Sequence, residues 1–317
     1  MRASLQASSG LSHHHHPQQP QRLTQQQPKR LSQQQQQQLH KPHPDEGQLL
    51  SKLHLARKKR MIETTKGARV LDLASGRCGD LWNFCHARTA HVDGVEPDTG
   101  NREQGLLRLA QNLPKLRAQG FMTTFRTIAA RAEMTSDVLQ QLQKDYVDVT
   151  AWRLYDFVTA FFCMTFFFRD REMLLGHLHT VRACLKSGGI YMGVMLDGTE
   201  LRRTLLSGLQ TGDTLKTSVF SLTCEFDQNK SRCTHDDNDD TSSFAFGQQV
   251  HIHFHSTKAI VKEQTEYLTD FTIMTKEAAA LDLDLVAHAL IQPEAMLQDE
   301  HVRAFSAAHR MFAFKRR

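Results

Sequence analysis

The 317-residue sequence has no run of apolar residues that approaches the roughly 20 needed to cross a bilayer. Its N-terminus lacks the charged region followed by an apolar stretch that marks a secretory signal peptide. We therefore expect a soluble, intracellular protein. With 40% hydrophobic and 23% charged residues, the chain suits one globular domain together with a less ordered segment.

Cysteine pairs with the spacing of a metal or redox motif are also absent. The six cysteines are scattered, which argues against a zinc ribbon or a disulfide scaffold and predicts free thiols in a reducing compartment. The net charge is only +5, but basic runs at 57–60 and 315–317 leave room for a polyanionic partner. A solvated surface is the commoner role of such runs, so they do not decide the function.

The first 45 residues are rich in histidine and glutamine and contain almost no large apolar side chains. This composition buries too little surface to offset chain entropy, so we predict a disordered tail at 1–45 and a folded domain at 46–317. The histidine tract at 13–16 could bind a metal, although low-complexity sequence is the simpler interpretation.

Strands and helices alternate through most of the predicted domain. A basic amphipathic helix near its start leads into this pattern, with strands at 69–74, 92–96, 121–128, 156–162 and 189–196 and helices at 102–112, 132–144 and 171–185. This order predicts an α/β fold with a doubly wound, mostly parallel sheet. Segments 218–226 and 248–255 predict an added β-hairpin with an acidic loop at 236–243, before a helix at 275–281 and a last strand at 310–314.

A turn with Gly76 and Gly79 follows the first predicted strand. Ligands of open α/β sheets bind at this edge, where glycine allows close approach and the next helix offers unpaired N–H groups. The spacing is not that of dinucleotide folds, so the turn alone is weak evidence. Glu96 ends the second strand, where a carboxylate can accept hydrogen bonds from both hydroxyls of a ribose. The two features together favour a nucleoside-containing ligand over an ordinary strand-end carboxylate.

Residues 72–81 read DLASGRCGDL, which resembles the DLGCGKGGDL turn of the mRNA cap guanine-N7 methyltransferases, a family of class I S-adenosylmethionine-dependent enzymes. Further segments are similar in the same order: YDFV at 155–158, LKSGGIYMG at 185–193 (family L-x-PGG-x-F-I-G), 197–205, FGQ at 246–248, TEYLTDF at 265–271 and FAFK at 312–315. The resemblance implies a Rossmann-like domain that transfers methyl from S-adenosylmethionine to N7 of the 5′ cap guanine of mRNA.

The resemblance also implies the site. The cofactor-binding residues that it implies are Asp72, Gly76, Asp80 and Glu96. Arg77 stands in place of a family lysine near the cofactor and the cap triphosphate, and keeps its charge with a different geometry. Glu266 matches the glutamate that recognises guanine, because a carboxylate can accept hydrogen bonds from N1–H and N2–H together. A surface glutamate is the alternative for that position.

Three positions depart from the family pattern. Thr165 and Phe166 replace a histidine and a tyrosine, and His309 replaces a tyrosine that contacts the cap. Phe166 keeps an aromatic face but no hydroxyl, and Thr165 has no imidazole. We expect all three in the cap site. Because proximity and orientation can drive this methyl transfer without a titrating catalyst or a metal, an active enzyme is favoured.

Two other classes stay open: a catalytically weak methyltransferase fold that binds a cap, RNA or a protein partner, and a methyltransferase for another RNA or a small molecule. The expected partners are the 5′ end of capped mRNA and separate capping enzymes, with no membrane, and the expected state is a monomer in the nucleus, with the cytoplasm as the alternative. His251, His253 and His255 alternate along a predicted strand, where an exposed face is favoured over a metal site.

Overall fold

Short apolar strands form the centre of the computed structural model. Residues 46–144, 154–227, 246–255, 263–293 and 295–317 are described by the structure; the predicted tail and the acidic loop at 236–243 lie outside them. Strands β1 (Arg69–Leu73) and β2 (His91–Val95) are buried at every position after the first. Such nearly continuous burial is typical of parallel strands covered on both faces.

The seven strands of the main sheet are arranged in the order β10-β11-β5-β4-β1-β2-β3. The remaining members are β3 (Thr124–Ile128), β4 (Tyr155–Phe161), β5 (Leu185–Leu196), β10 (Leu283–Leu290) and β11 (His309–Arg316). Strands β1 to β5 pair in parallel, whereas β11 pairs antiparallel with both β5 and β10. The predicted mostly parallel, doubly wound sheet is therefore confirmed.

The described helices fill the connections between the strands. They are α1 (Glu46–Ile62), α2 (Leu81–His86), α3 (Thr99–Ala118), α4 (Thr135–Lys144), α5 (Met164–Phe167), α6 (Arg171–Cys184), α7 (Gly198–Leu201), α8 (Phe271–Ala280) and α9 (Glu300–Ala307), with a 3-10 turn at Glu63–Thr65 and a π turn at Arg202–Leu206. Aspartates begin several of them by accepting backbone N–H bonds, as Asp98 does for α3 and Asp299 for α9. None of the helices described is long and apolar enough to span a membrane.

A second, antiparallel sheet is inserted in the sequence between β5 and β10 of the main sheet. Its strands are β6 (Thr214–Lys216), β7 (Phe220–Cys224), β8 (Gln249–Phe254) and β9 (Glu263–Tyr267), in that order. The predicted hairpin, β7 with β8, is confirmed. One apolar core joins this sheet to α1 and α9, through side chains such as Leu50, Phe220, Val250 and Phe305. Helix α1 is thus packed as part of the domain.

The alternating histidines do face solvent. Val250 and Ile252 point into the core, while His251 and His253 lie outside at 3.2 and 3.8 Å from the Glu263 carboxylate. The part of the chain that the structure describes holds no group of three or more side chains that could bind a metal ion. The favoured interpretation, an exposed strand face, agrees with this arrangement.

Strands β6, β9 and β10 and helix α9 were not anticipated from sequence, and α8 begins four residues before the predicted 275. Strand β10 is an edge strand of the main sheet. Residues 286–289 at its centre are exposed and rich in alanine, a residue type that is depleted in strands. It forms because its backbone pairs with β11, a long-range partner that local pattern does not reveal.

Asp93 is the main buried charge of the sheet interior away from the carboxyl edge. Its carboxylate accepts hydrogen bonds from Arg126 Nε (2.6 Å), the Tyr155 hydroxyl (2.5 Å) and His91 Nε2 (2.8 Å), and it is fully buried. Burial opposes ionisation, but the bonds from His91 and Arg126 outweigh it and hold the pKa of Asp93 below its usual value. This network ties β2, β3 and β4 together.

We expect Asp93→Ala to lower the free energy of unfolding by about 3 kcal/mol, because Arg126 and the Tyr155 hydroxyl lose a buried partner. Asp137→Ala, which breaks the exposed ion pair with Arg131, should change it by less than about 0.5 kcal/mol. Urea unfolding followed by circular dichroism measures both. The Asp93 contribution should be present near neutral pH and be lost as the pH falls below about 4, through the lowered pKa. Equal losses in the two variants would contradict this account.

Candidate active site

Asp72 lies in β1 near the carboxyl edge of the main sheet. Its backbone is in register with Gly94 of β2 and Thr159 of β4, so it stands at the centre of the parallel strands. The buried carboxylate accepts a hydrogen bond of 2.7 Å from the Thr159 hydroxyl through Oδ1. Thr159 was not predicted, because the pairing of β1 with β4 spans 87 residues.

Glu96 fixes the turn that follows β1. Its Oε2 accepts the Gly76 N–H at 2.8 Å and its Oε1 accepts the Asp98 N–H at 3.0 Å. Gly76 has φ +56°, and a Cβ built there would meet nothing within 4 Å. Each carboxylate oxygen keeps a second lone pair for a ligand hydroxyl. The turn therefore presents open space beside a buried carboxylate that is already held in place.

Two residues of this turn carry a side chain at positive φ, Ala74 at +58° and Cys78 at +52°. The resembling turn, DLGCGKGGDL, has glycine at both places, which the left-handed backbone explains. The Cys78 side chain packs against Gly105 of α3, where a Cβ would lie only 3.0 Å from Sγ. The turn thus keeps the family backbone without the family glycines.

Asp80 is paired with a cation that sequence reasoning did not single out. Lys58 Nζ of α1 lies 2.7 Å from Asp80 Oδ2, and the Asn83 side chain donates to Oδ1 at 3.0 Å. The same ammonium lies 5.7 and 5.6 Å from the ring centroids of Phe161 and Phe162. The basic amphipathic helix was visible in the sequence, but the lysine that faces the site was not distinguishable from its neighbours.

The carboxylates at this edge affect one another. Burial raises the pKa of Asp72 to about 7, and the nearby Asp80 charge acts in the same direction. The Thr159 hydroxyl and Lys58 oppose the shift. A positively charged ligand group beside Asp72 would favour its ionised form, so the edge is suited to a cation.

Arg77 leaves this turn on its outer side. The side chain is exposed, and its Nε donates to Asn101 Oδ1 on α3 at 3.0 Å. The structure therefore places Arg77 on the turn that follows β1, with its guanidinium directed toward the start of α3.

Glu266 lies on β9 of the second sheet and is buried. The Gln264 amide donates to its Oε1, whereas Oε2 has no hydrogen-bond partner among the described residues. Burial raises the pKa of Glu266 to about 7, an effect that the nearby Thr165 hydroxyl and Gln264 oppose. The Thr165 hydroxyl is itself buried without a hydrogen bond of regular geometry. A carboxylate and a hydroxyl that satisfy each other this poorly in one buried place are costly unless a ligand supplies better partners.

Cys163 interacts with both parts of the site, the turn that follows β1 and Glu266 on the second sheet. Its thiol donates to the Leu73 carbonyl at the end of β1, at 3.7 Å. Burial raises the pKa of this thiol, and the charges of Asp72, Glu266 and Glu96 raise it further. One atom therefore lies within electrostatic reach of both the turn carboxylates and the carboxylate of the second sheet.

Phe166 is exposed over 41% of its surface, although its neighbours Thr165 and Phe167 in α5 are buried. Helix α5 packs against β9, the strand of Glu266. The structure thus brings Thr165 and Glu266 together and leaves an accessible aromatic ring on the same short helix.

His309 begins β11 and lies in an aromatic cluster. Its ring centroid is 4.4 Å from that of His54 and 5.7 Å from that of Phe162, and its Nδ1 bonds the Phe305 carbonyl at 3.0 Å. Burial lowers the pKa of His309 to about 4, so the ring is neutral at physiological pH. Only 5% of His309 is exposed, and its role in this structure is to pack against His54 of α1.

Comparison with known proteins agrees with this geometry. Residues 47–307 match the family model of the mRNA (guanine-N(7))-methyltransferase domain. The chain belongs to this family. The mRNA cap guanine-N(7) methyltransferase of Cryptococcus neoformans var. neoformans serotype D is 27% identical over 235 residues, 71% of this chain and 33% of that protein. The chain spans about a third of that relative's length.

One of the similar solved structures supports the fold. A Listeria monocytogenes structure assigned to the S-adenosylmethionine dependent methyltransferases has a TM-score of 0.50 at 9% identity, and covers 84% of this chain and 99% of its own. The glycopeptide N-methyltransferase MtfA, complexed with S-adenosyl-L-methionine, has a TM-score of 0.47 at 14% identity, over 82% and 86% of the two chains.

The predicted cofactor, S-adenosylmethionine, is confirmed by membership of this methyltransferase family. The residues present fit it. Glu96 is buried beside the open space at Gly76, as a ribose diol requires, and the raised pKa of Asp72 marks a place where a cation is favoured. Within the family fold, Asp72, Gly76, Asp80 and Glu96 are the residues that would hold it.

We expect Glu96→Ala to weaken S-adenosylmethionine binding by about 100-fold or more, because the loss of two backbone hydrogen bonds releases the turn and removes the ribose acceptor. Isothermal titration calorimetry measures the affinity. Glu103→Ala, an exposed glutamate on α3, is the matched control and should bind as the wild type does. Unchanged affinity in Glu96→Ala would remove Glu96 from the cofactor site.

Cofactor affinity should depend on pH through Asp72. A bound cation stabilises the ionised carboxylate, so binding below pH 7 must release the proton of Asp72. We expect the association constant to rise by up to about tenfold per pH unit below the pKa of about 7 and to level off above it. Asp72→Asn should bind more weakly and show a flat profile. Calorimetry in buffers of different ionisation enthalpy counts the protons, and an equally steep profile in Asp72→Asn would contradict the assignment.

Proposed function

We propose that this chain transfers the methyl group of S-adenosylmethionine to N7 of the 5′ cap guanine of mRNA. The observation that carries the proposal is the buried Glu266 carboxylate, whose Oε2 has no hydrogen-bond partner of regular geometry among the described residues. Family membership and the Cryptococcus relative support it.

The guanine edge suits this carboxylate. Guanine presents N1–H and N2–H as neighbouring donors, and Glu266 offers the unpartnered Oε2 together with the remaining lone pair of Oε1. A donor from the base would replace the water that burial has removed and would favour the ionised form of Glu266. The exposed face of Phe166 offers a surface on which a purine can stack.

In the reaction, the chain aligns the two reactants and stabilises the charge that develops on the guanine. S-adenosylmethionine supplies an activated methyl group, and guanine N7 has a free lone pair, so no residue has to remove a proton. Glu96 and Asp72 fix one reactant at the edge of the main sheet, while Glu266 and Phe166 fix the other on the second sheet and α5. Methylation gives the guanine a positive charge, which acidifies N1–H and strengthens its hydrogen bond to the Glu266 carboxylate.

The proposal extends to capped transcripts and separate capping enzymes as partners and to a monomer in the nucleus. The basic runs are compatible with a nuclear address or an RNA contact.

The function is tested with labelled S-adenosylmethionine and a short RNA that carries either a GpppN cap or a 5′ triphosphate. We expect label only on the capped RNA, at guanine N7. Binding of the cofactor without transfer to either RNA would favour the alternative, a catalytically weak binding protein. Transfer to both RNAs would indicate a different RNA target.

Glu266→Gln should lower kcat/KM for capped RNA by about 100-fold, because the amide offers only one acceptor and places an N–H against the guanine donors. Cofactor affinity should stay unchanged, since Glu266 lies on the other sheet. Glu263→Gln, an exposed position on the same strand, is the control and should retain full activity. Equal rates for Glu266→Gln and wild type would overturn the guanine assignment.

A further inference from the structure

Helix α5 carries Thr165 and Phe166 but has little internal stability. It is four residues long, and the Cys163 side chain makes no cap hydrogen bond at its N-terminus. A single helical turn is not stable by itself, so contacts from outside must hold it. Those contacts come from the buried residues Met164 and Phe167.

Beneath α5 lie two fully buried polar side chains that the proposed reaction does not use, His177 of α6 and Tyr191 of β5. His177 Nε2 is 2.9 Å from the Tyr191 hydroxyl, and that hydroxyl is 3.1 Å from Met164 Sδ. The Phe167 ring stacks on His177 with centroids 4.0 Å apart. Two of the three buried side chains of α5, Met164 and Phe167, thus rest on this polar pair.

The direction of these hydrogen bonds follows from the donors and acceptors that His177, Tyr191 and Met164 offer. His177 Nδ1 is buried and has no partner, and an unpaired N–H is costlier to bury than a bare lone pair. The proton therefore belongs on Nε2, which donates to the Tyr191 oxygen, and the Tyr191 O–H donates to Met164 Sδ. Burial lowers the pKa of His177 to about 3, so the ring stays neutral and this chain of donors does not change near pH 7.

The Tyr191 hydroxyl is a feature of this chain rather than a requirement of the strand. The resembling segment L-x-PGG-x-F-I-G has phenylalanine at that place, and the ring itself packs on Phe312 at 5.2 Å between centroids. The hydroxyl contacts Met164 Sδ, next to Thr165 in the chain.

We propose that His177 and Tyr191 are positioning residues, which fix α5 so that Thr165 faces Glu266 and Phe166 stays exposed for the base. The proposal rests on the proposed function for what α5 positions. The structural claim, that one buried chain of hydrogen bonds orders α5, depends only on the distances among His177, Tyr191 and Met164.

Tyr191→Phe tests it, with Tyr155→Phe as the matched control. Each variant removes one buried hydroxyl from the main sheet: Tyr191→Phe loses the bonds with His177 and Met164, and Tyr155→Phe loses the bond to Asp93. We expect KM for GpppN-capped RNA to rise about tenfold in Tyr191→Phe only, with KM for S-adenosylmethionine unchanged. His177→Leu should behave like Tyr191→Phe, and His177→Gln, which keeps an N–H donor, should restore part of the affinity.

Hydrogen exchange of the full chain gives a readout that does not need activity. The amides of Phe166 and Phe168, which bond the Cys163 and Thr165 carbonyls, should exchange faster in Tyr191→Phe than in Tyr155→Phe at equal global stability. Equal exchange in the two variants, or a cap KM unchanged by Tyr191→Phe, would overturn the positioning role. If the wild type does not methylate capped RNA, the proposed function fails, and the exchange comparison still decides whether the pair orders α5.

Discussion

The site depends on three carboxylates that lie close together at one edge of the main sheet. Asp72, Asp80 and Glu96 approach closely enough for Asp80 and Glu96 to raise the pKa of Asp72. Such a cluster is stable only when cations and N–H donors compensate it. Glu96 is satisfied by the backbone of the turn that it shapes, and Asp80 by Lys58. Among the described residues, Asp72 accepts one side-chain hydrogen bond, from Thr159, and Lys58 acts on it only through its charge, so a cationic ligand would stabilise this carboxylate most.

Lys58 makes helix α1 a part of the site. Its ammonium contacts Asp80 and the rings of Phe161 and Phe162, while His54, one turn earlier, stacks on Phe162 at 5.4 Å. Phe162 has φ +58°, an uncommon conformation for an aromatic residue, at the point where β4 turns into α5. Helix α1 therefore packs over the strained turn at Phe162, which connects β4 of the main sheet to α5. Movement of α1 would disturb both halves together.

The sequence predicted what local pattern encodes. Buried strands, the glycine turn and Glu96 were visible because each is a short segment with its own chemistry, and the resemblance added Glu266 and the order of the segments. The partners of these residues were not visible: Thr159 reaches Asp72 across β4, and Lys58 is one of several cations on its helix. Strand β10 was missed because its backbone pairing, and not its composition, makes it a strand. His309 was expected in the cap site from the resemblance alone; in the structure its ring packs against His54.

The buried histidines show how the chain differs from an enzyme that works by acid–base chemistry. Burial holds the pKa of His54, His177 and His309 below the usual value, so all three are neutral at physiological pH and serve as packing and hydrogen-bonding groups. Burial raises the pKa of two carboxyls of the site, Asp72 and Glu266, to about 7, one on each sheet. Under the proposed function, a positively charged donor and a guanine that becomes positive would each draw one of them into its ionised form. Thr165 could then replace a histidine without removing a catalyst, because the carboxylates, and not an imidazole, would respond to the charge that moves.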